Sequence, residues 1–275
     1  MARTRGRIPS LLALTASLAL VAGCGGADGG TADGRPADRG KAGGNPPAGS
    51  PVVVATTTWE GALAKAAGAE NVTVIVPQSV QHAPDYDPKP SDLAAVAKAD
   101  FVLYAPFEPY AGKIKEAAGS KAQLVEVGLD NDADKTAAEV ARLGAKFGTQ
   151  ARAGAWQKTF RAEYAKLAGQ LRSAWPGGRQ PQVVAQVFTA WSAKMAGAGL
   201  VGTYGPEAVT PGRLAELTAK KPQFVLDNAH MTTGRVLPGA GAEQLEIVNY
   251  PGEDLDLLGV YRKAADEIGK ALAGS

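Results

Sequence analysis

The chain has 275 residues, with 29 Lys and Arg against 27 Asp and Glu, a formal net charge of +2 and a single cysteine. A nearly neutral chain with no Lys/Arg cluster interleaved with aromatics is not built for nucleic acid. One cysteine excludes an internal disulfide framework, so stability has to come from a packed core.

In chain order, Arg3, Arg5 and Arg7 precede an apolar run, Leu11 to Ala22, shorter than the roughly 20 residues of a membrane-spanning helix. Residues 1–23 read as a secretory signal. Its end, Val21-Ala22-Gly23-Cys24, resembles a bacterial lipoprotein cleavage box in which Cys24 becomes the lipidated N-terminus. The alternative is an ordinary signal peptide that contains a cysteine. Residues 24–50 are mostly Gly, Ala, Asp and Pro, which cannot bury a core, and read as a flexible tether with a reach of roughly 28 Å.

From Pro51 onward, apolar runs of strand length alternate with helical spacing. Strands are predicted at Val52 to Ala55, Val72 to Val76, Phe101 to Tyr104 and Leu124 to Val127, then at Val183 to Val187, Phe224 to Asp227 and Leu245 to Val248. They lack clear apolar–polar alternation, as parallel strands covered on both faces do. Helical segments lie between them, for example Trp59 to Ala67, Ser91 to Ala99 and Pro211 to Ala219. Ser91 is the predicted N-cap of the second of these.

Between the two halves, Trp156, Phe160, Tyr164, Leu167, Leu171 and Trp175 recur at helical spacing, as do Val140, Leu143 and Phe147 upstream. They predict a long amphipathic helix over 132–177, about 64 Å if unbroken. Two helices joined near Gly148 are the alternative. The predicted organisation is a 51–131 lobe, the connecting helix at 132–177 and a 178–275 lobe: an α/β fold of two βα-repeat lobes with mostly parallel sheets.

The only two histidines, His82 and His230, both follow predicted strands, where α/β proteins place ligands. Two imidazoles fall short of the three or four ligands of a zinc site. The best placed additional donors are Glu108, just after the strand Phe101 to Tyr104, and Asp227 at the end of its own strand. Asp227 has the alternative of a helix N-cap or a buried hydrogen-bond acceptor, and Asp85 that of a residue capping loop N–H groups. Trp59, Tyr86, Phe107, Tyr110, Trp191 and Tyr250 lie near strand ends, where they line a pocket or simply pack. No Gly-Xaa-Ser-Xaa-Gly elbow, phosphate loop, zinc-peptidase helix motif or cysteine nucleophile occurs, so an enzyme is not expected.

Several stretches carry a family resemblance. They are Ala55-Thr56-Thr57-Thr58-Trp59, Ala62 to Gly68, the loop from Gln81 to Asp92 with Tyr86, Pro88 and Pro90-Ser91-Asp92, and Lys98-Ala99-Asp100. Together they resemble the metal-binding solute-binding lipoproteins of bacterial ABC importers for zinc and manganese, most strongly from Val53 to about Val127. The resemblance implies two lobes joined by one long helix and makes His82 a metal ligand. Two further family histidines have no counterpart: Gly128 to Asp132 and Gln186 to Trp191 stand in their places. The family's acidic ligand corresponds to Asp227 or to a carboxylate of Glu253-Asp254.

The expected ligand set is therefore His82, Glu108, Asp227 and His230, for a divalent metal carried as cargo, zinc ahead of manganese, with no organic cofactor. Imidazole with carboxylate suits zinc, manganese or iron, and the lack of thiolate disfavours Cu(I). Binding should weaken below about pH 6 as histidine protonates. The expected partners are an ABC permease, its ATPase and, through Cys24, the outer face of a bacterial cell membrane, with the protein a monomer. A metal chelate or small organic ligand on the same fold is the alternative, and a ligand-less adhesive lipoprotein is another.

Overall fold

The computed structural model describes residues 49–80, 85–232 and 234–274, within a compact unit that runs from Asn45 to Ser275. Cys24, the signal and most of the tether lie outside the described residues, as does His82. No helix among the described residues is long and apolar enough to cross a membrane.

Among the described residues, eight strands form two four-stranded sheets. In the first, β1 (Val52–Ala55), β2 (Asn71–Val74), β3 (Phe101–Tyr104) and β4 (Gln123–Glu126) lie in the order β2-β1-β3-β4. In the second, β5 (Gln182–Gln186), β6 (Gly199–Tyr204), β7 (Phe224–Asn228) and β8 (Glu243–Ile247) lie in the order β6-β5-β7-β8. Every pairing is parallel. Successive side chains of a strand point to opposite faces, and both faces are covered: Val53 packs with Leu103 and Val125 on one, Val54 with Val102 and Ile114 on the other. The second lobe repeats this, with Val183 and Ala185 on one face and Val184 and Val225 on the other. The two-lobe, all-parallel α/β class expected from the unbroken apolar runs is the class observed.

β6 has no counterpart among the predicted strands. Gly199 and Gly202 remove the apolar signal, yet the glycine serves the packing. A Cβ on Gly202 would lie 2.5 Å from Leu217 Cδ2, so only glycine lets α7 (Pro211–Ala219) lie this close on the strand.

α1 (Thr58–Ala66), α2 (Pro90–Val96) and α3 (Ala111–Ala118) complete the first lobe, and α6 (Ala190–Ala196), α7 and α8 (Leu257–Gly274) the second. α2 begins earlier than expected. Lys89 occupies the N-cap position, Pro90 the first turn, and the Asp92 carboxylate accepts the Lys89 N–H at 2.8 Å and the Tyr86 hydroxyl at 2.7 Å. Proline starts a helix readily because its missing N–H would be unpaired there in any case.

The segment between the sheets divides into α4 (Ala133–Phe147) and α5 (Gln150–Ser173), with Gly148 as the C-cap of α4 at φ 72°. This is the two-helix arrangement, and α4 turns back on α5. A Cβ on Gly144 would lie 2.5 Å from Ala153 Cβ, and Gln157 Nε2 donates to Ala137 O at 2.6 Å. The Thr149 hydroxyl donates to Ala67 O at 2.6 Å and holds the turn to the first lobe. α5 is then the long crossing helix, about 36 Å at 1.5 Å per residue. Its Ala153 belongs to the first lobe's core and its Phe160, Ala168 and Leu171 to the second's. The Trp156 and Phe160 rings stack at 4.8 Å, and Phe160 meets the fully buried Tyr261 of α8 edge-on at 5.0 Å.

Candidate metal centre

In each sheet the strand order reverses between two central neighbours, β1 and β3 in one and β5 and β7 in the other. Loops leaving such a pair diverge and open a crevice. Both crevices hold buried polar side chains, of different chemistry.

In the first lobe β1 leads into Thr56, which continues the ladder through its N–H to Leu103 O at 3.0 Å. Thr57 follows in an extended conformation as the N-cap of α1, and Glu60 at the third helical position completes a reciprocal capping box. The Thr57 N–H donates to Glu60 Oε2 at 3.1 Å, and the Thr57 hydroxyl donates to the same oxygen. Such glutamates are ordinarily at the surface, but α1 is buried from Thr58 to Ala64 and Glu60 is 0% exposed. The Thr56 hydroxyl, also 0% exposed, acts as a hydrogen-bonding partner on both Glu60 and Glu108. Burial raises the Glu60 carboxyl above its usual range, against the bonds from Thr57.

Glu108 enters the same crevice from the turn after β3. Its Oε2 accepts the Ala105 N–H at 3.1 Å and its Oε1 the Tyr110 hydroxyl at 3.0 Å. Burial, and after it the charge of Glu60, raises Glu108 to about 7. Tyr110 is raised too, by burial and by the Glu108 charge. Glu108 was expected at the site from the sequence, and Glu60 was not. Its signal was present in the Thr57-Xaa-Xaa-Glu60 capping box, which marks a helix start without telling that the start is buried.

In the second lobe the equivalent positions are neutral. Gln186 accepts the Phe188 N–H at 2.7 Å, and the Thr189 hydroxyl reaches Leu226 O at 2.7 Å. Asn228 Oδ1 accepts the His230 N–H at 3.0 Å, fixing the turn that presents His230, while Asn228 Nδ2 is buried without a partner. Burial, and secondarily the charge of Lys263, lowers the His230 pKa, so the imidazole is neutral and free to donate a lone pair near pH 7. Tyr250 links the lobes: its ring meets His230 edge-on at 4.7 Å and Trp59 at 5.0 Å. Burial and the charges of Glu60 and Glu108 raise its phenol pKa.

Tyr250 is thus in ring contact with His230 of the second lobe and within electrostatic reach of Glu108 in the first. Asp227 does not join them. It is 1% exposed, and its Oδ1 accepts the Tyr204 hydroxyl at 2.5 Å while its Oδ2 accepts Gln244 Nε2 at 3.1 Å. This is the alternative role of a buried acceptor. Among the described residues no group of three or more His, Cys, Asp and Glu side chains is gathered as a metal cluster.

The places of the absent family histidines carry a buried amide network instead. Asn131 Nδ2 donates to both Asn249 O and Asn249 Oδ1 at 2.9 Å, and Trp191 Nε1 donates to Asn249 Oδ1 at 2.8 Å. The network fastens the exit of the first sheet to the second lobe.

The architecture is two parallel-sheet lobes crossed by a long helix. Residues 53–173 match the family model described as zinc-uptake complex component A, periplasmic, so the resemblance read from the sequence is borne out. Among solved structures, the laminin-binding protein Lbp of Streptococcus pyogenes is similar at 16% identity and TM-score 0.61, over 81% of this chain and 99% of that one. The laminin-binding protein Lmb of Streptococcus agalactiae, described as bifunctional with adhesin and metal-transporting activity, is similar at 16% identity and TM-score 0.60, over 80% and 100%. The Zn(II)-bound ZnuA-like domain of Streptococcus pneumoniae AdcA is similar at 14% identity and TM-score 0.55, over 82% and 100%. No curated protein sequence matches the chain.

Proposed function

We propose that the protein is an exported, lipid-anchored receptor that captures a divalent transition metal, zinc or manganese, between its lobes and delivers it to an ABC permease and its ATPase. One observation carries the reading: His230 of the second lobe meets the Tyr250 ring edge-on, and the charges of the first lobe's buried Glu60 and Glu108 act on the same tyrosine. A cation that touches both lobes stabilises the closed form by its differential affinity. Glu108 and His230, with His82, which follows β2 in the sequence, are the ligands in this reading, and Asp227 is not among them. Cys24 is the lipid attachment point. No chemistry is performed on the cargo, and the protein acts as a monomer.

The family match over residues 53–173 and the Zn(II)-bound structural relative support metal as the cargo. The test is calorimetric titration of zinc and manganese into the chelator-stripped protein, with His82→Ala, Glu108→Gln and His230→Ala alongside. One-to-one binding, weakened at least about tenfold in each variant, is expected, since even partners outside the ligand set change metal affinity about 10–100-fold. No heat and no thermal stabilisation with either metal overturns the reading.

The titration repeated at lower pH is a second check. Because the pKa of His230 lies below its usual 6.5, this residue holds its lone pair to lower pH than an exposed histidine. Glu108, raised to about 7, must give up its proton to ligate, so binding weakens as the pH falls through about 7, and protonation of His230 adds to the loss only at lower pH.

A further inference from the structure

We propose that the metal is bound as a chelate: a divalent ion already held by a small organic chelator that presents a ring-sized apolar body and a neutral hydroxyl or amide group. The proposal rests on the receptor reading and deepens it by naming the form of the cargo.

The first observation is a shortage of donors for a bare ion. A zinc site takes roughly three or four ligands. Asp227 is spent on Tyr204 and Gln244, and among the described residues no three His, Cys, Asp or Glu side chains gather. An ion that brings part of its own coordination shell needs fewer donors from the protein.

The second is a pair of unpartnered amide atoms. Asn228 is 0% exposed, and because its Oδ1 accepts the His230 N–H, Nδ2 is the atom left without an acceptor. Asn131 is 2% exposed, and because its Nδ2 donates to Asn249 O and Oδ1, Oδ1 is the atom left without a donor. These bonds fix which end of each amide is oxygen and which nitrogen. Asn228 pairs with Ile247 at the end of β8, and Asn249, which holds Asn131, is two residues further on. Both free atoms thus belong to the same end of the second sheet. Buried polar atoms are ordinarily paired. One of these needs an acceptor and the other a donor, and neither is charged, so a neutral group that both donates and accepts is their complement. A bare cation leaves the Asn228 N–H unsatisfied.

The third is an apolar rim. Among the described residues Phe107 is 69% exposed, Phe188 48%, Met231 42% and Val187 39%, and only Leu200 joins them as an exposed large apolar side chain. All four rim residues follow the C-terminal ends of β3, β5 and β7, the strands that flank the two crevices. Phe107 also lines an open hollow of about 400 Å3 with Pro106, Val127, Leu129 and the paired Glu139 and Arg142. Small-molecule sites are of this size, mostly apolar with a few polar groups. A hydrated ion gains nothing from such a rim, whereas a ring-bearing chelator buries against it.

The test is calorimetric titration of the metal-stripped full-length protein with three probes: zinc alone, its one-to-one complex with salicylhydroxamic acid, and its one-to-one complex with acetohydroxamic acid. The two acids share a chelating group, and only the first has a ring. The salicylhydroxamate complex is expected to bind at least about tenfold tighter than either other probe, the effect of burying one ring. Native mass spectrometry should show metal and chelator retained together. In Phe107→Ala/Phe188→Ala, two exposed substitutions, the advantage of the ring should disappear. Asn228→Asp keeps the acceptor for the His230 N–H and removes only the donor, and it should weaken both complexes relative to zinc alone by about tenfold. Zinc binding with no advantage for either complex, or metal retained while the chelator is lost, overturns the chelate and leaves the receptor reading intact. A ring advantage that survives the phenylalanine variant also overturns it. Failure of all three probes to bind defeats both.

Discussion

The two lobes repeat one construction, a four-stranded parallel sheet whose order reverses between its two central strands, yet they fill the resulting crevices with opposite chemistry. The first lobe buries two carboxylates with no cation beside them among the described residues, and the second buries amides and a hydroxyl and keeps its one acid, Asp227, fully hydrogen-bonded. A buried acid with satisfied oxygens holds a fold together, whereas two buried acids without a cation beside them are raised in pKa by burial and, for Glu108, by its neighbour. The same residue type thus has opposite effects on stability in the two lobes, and this sign difference can be measured.

The largest expected effect is in the second lobe. Asp227→Ala leaves the Tyr204 hydroxyl and Gln244 Nε2 without their acceptor and should cost about 3 kcal/mol, a fall in Tm of roughly 6–12 °C for a domain of this size. Thermal unfolding of the metal-free protein measures it. A fall of under a degree would mean that Asp227 is not the structural acid described above.

Next in size, Glu60→Gln in the first lobe should raise the Tm of the metal-free protein at pH 8. Replacing the buried carboxyl by an amide while keeping the cap is worth about 1 kcal/mol, or roughly 2–4 °C. A fall instead would erase the contrast between the lobes.

The pH dependence sharpens the same comparison. Glu108 is raised from 4.5 to about 7 by burial and by Glu60. The folded protein therefore holds an extra proton between those values, and this group makes stability decline as pH rises through the window. His230 is lowered from 6.5, so the unfolded chain holds the extra proton, and this group makes stability rise with pH up to about 6.5. Stability profiles of metal-free Glu108→Gln and His230→Ala should deviate from wild type in opposite directions.

The smallest effect concerns the link between the lobes. Gly148→Ala puts a side chain at φ 72° and should cost about 1 kcal/mol, with metal affinity unchanged. A change in affinity would mean that the turn between α4 and α5 takes part in lobe movement.

Much of the architecture was legible because burial on both faces leaves a mark in composition. Seven of the eight strands coincide with apolar runs, and the α5 face from Trp156 to Leu171 follows from spacing alone. β6 was not legible, since glycines chosen for close approach to Leu217 carry no apolar signal. The break at Gly148 was readable only as an alternative, because glycine permits a left-handed turn without requiring one.

The site was legible in part. Glu108 and His230 follow strands that the sequence marks, and their position was predictable from that. Glu60 stood in plain view within a capping box, but whether a helix start is buried depends on what packs over it, here elements far along the chain such as α4 and α8. Asp227 has the same strand-end position as a ligand would, and only the approach of Tyr204 and Gln244 assigns its oxygens.

By itself, then, the sequence determined the class of fold, the alternation of strand and helix and the residues at strand ends, because these depend on local spacing and burial. Tertiary structure alone decided which acids are satisfied and which are not, because a hydrogen bond between residues distant in the chain leaves no periodic trace.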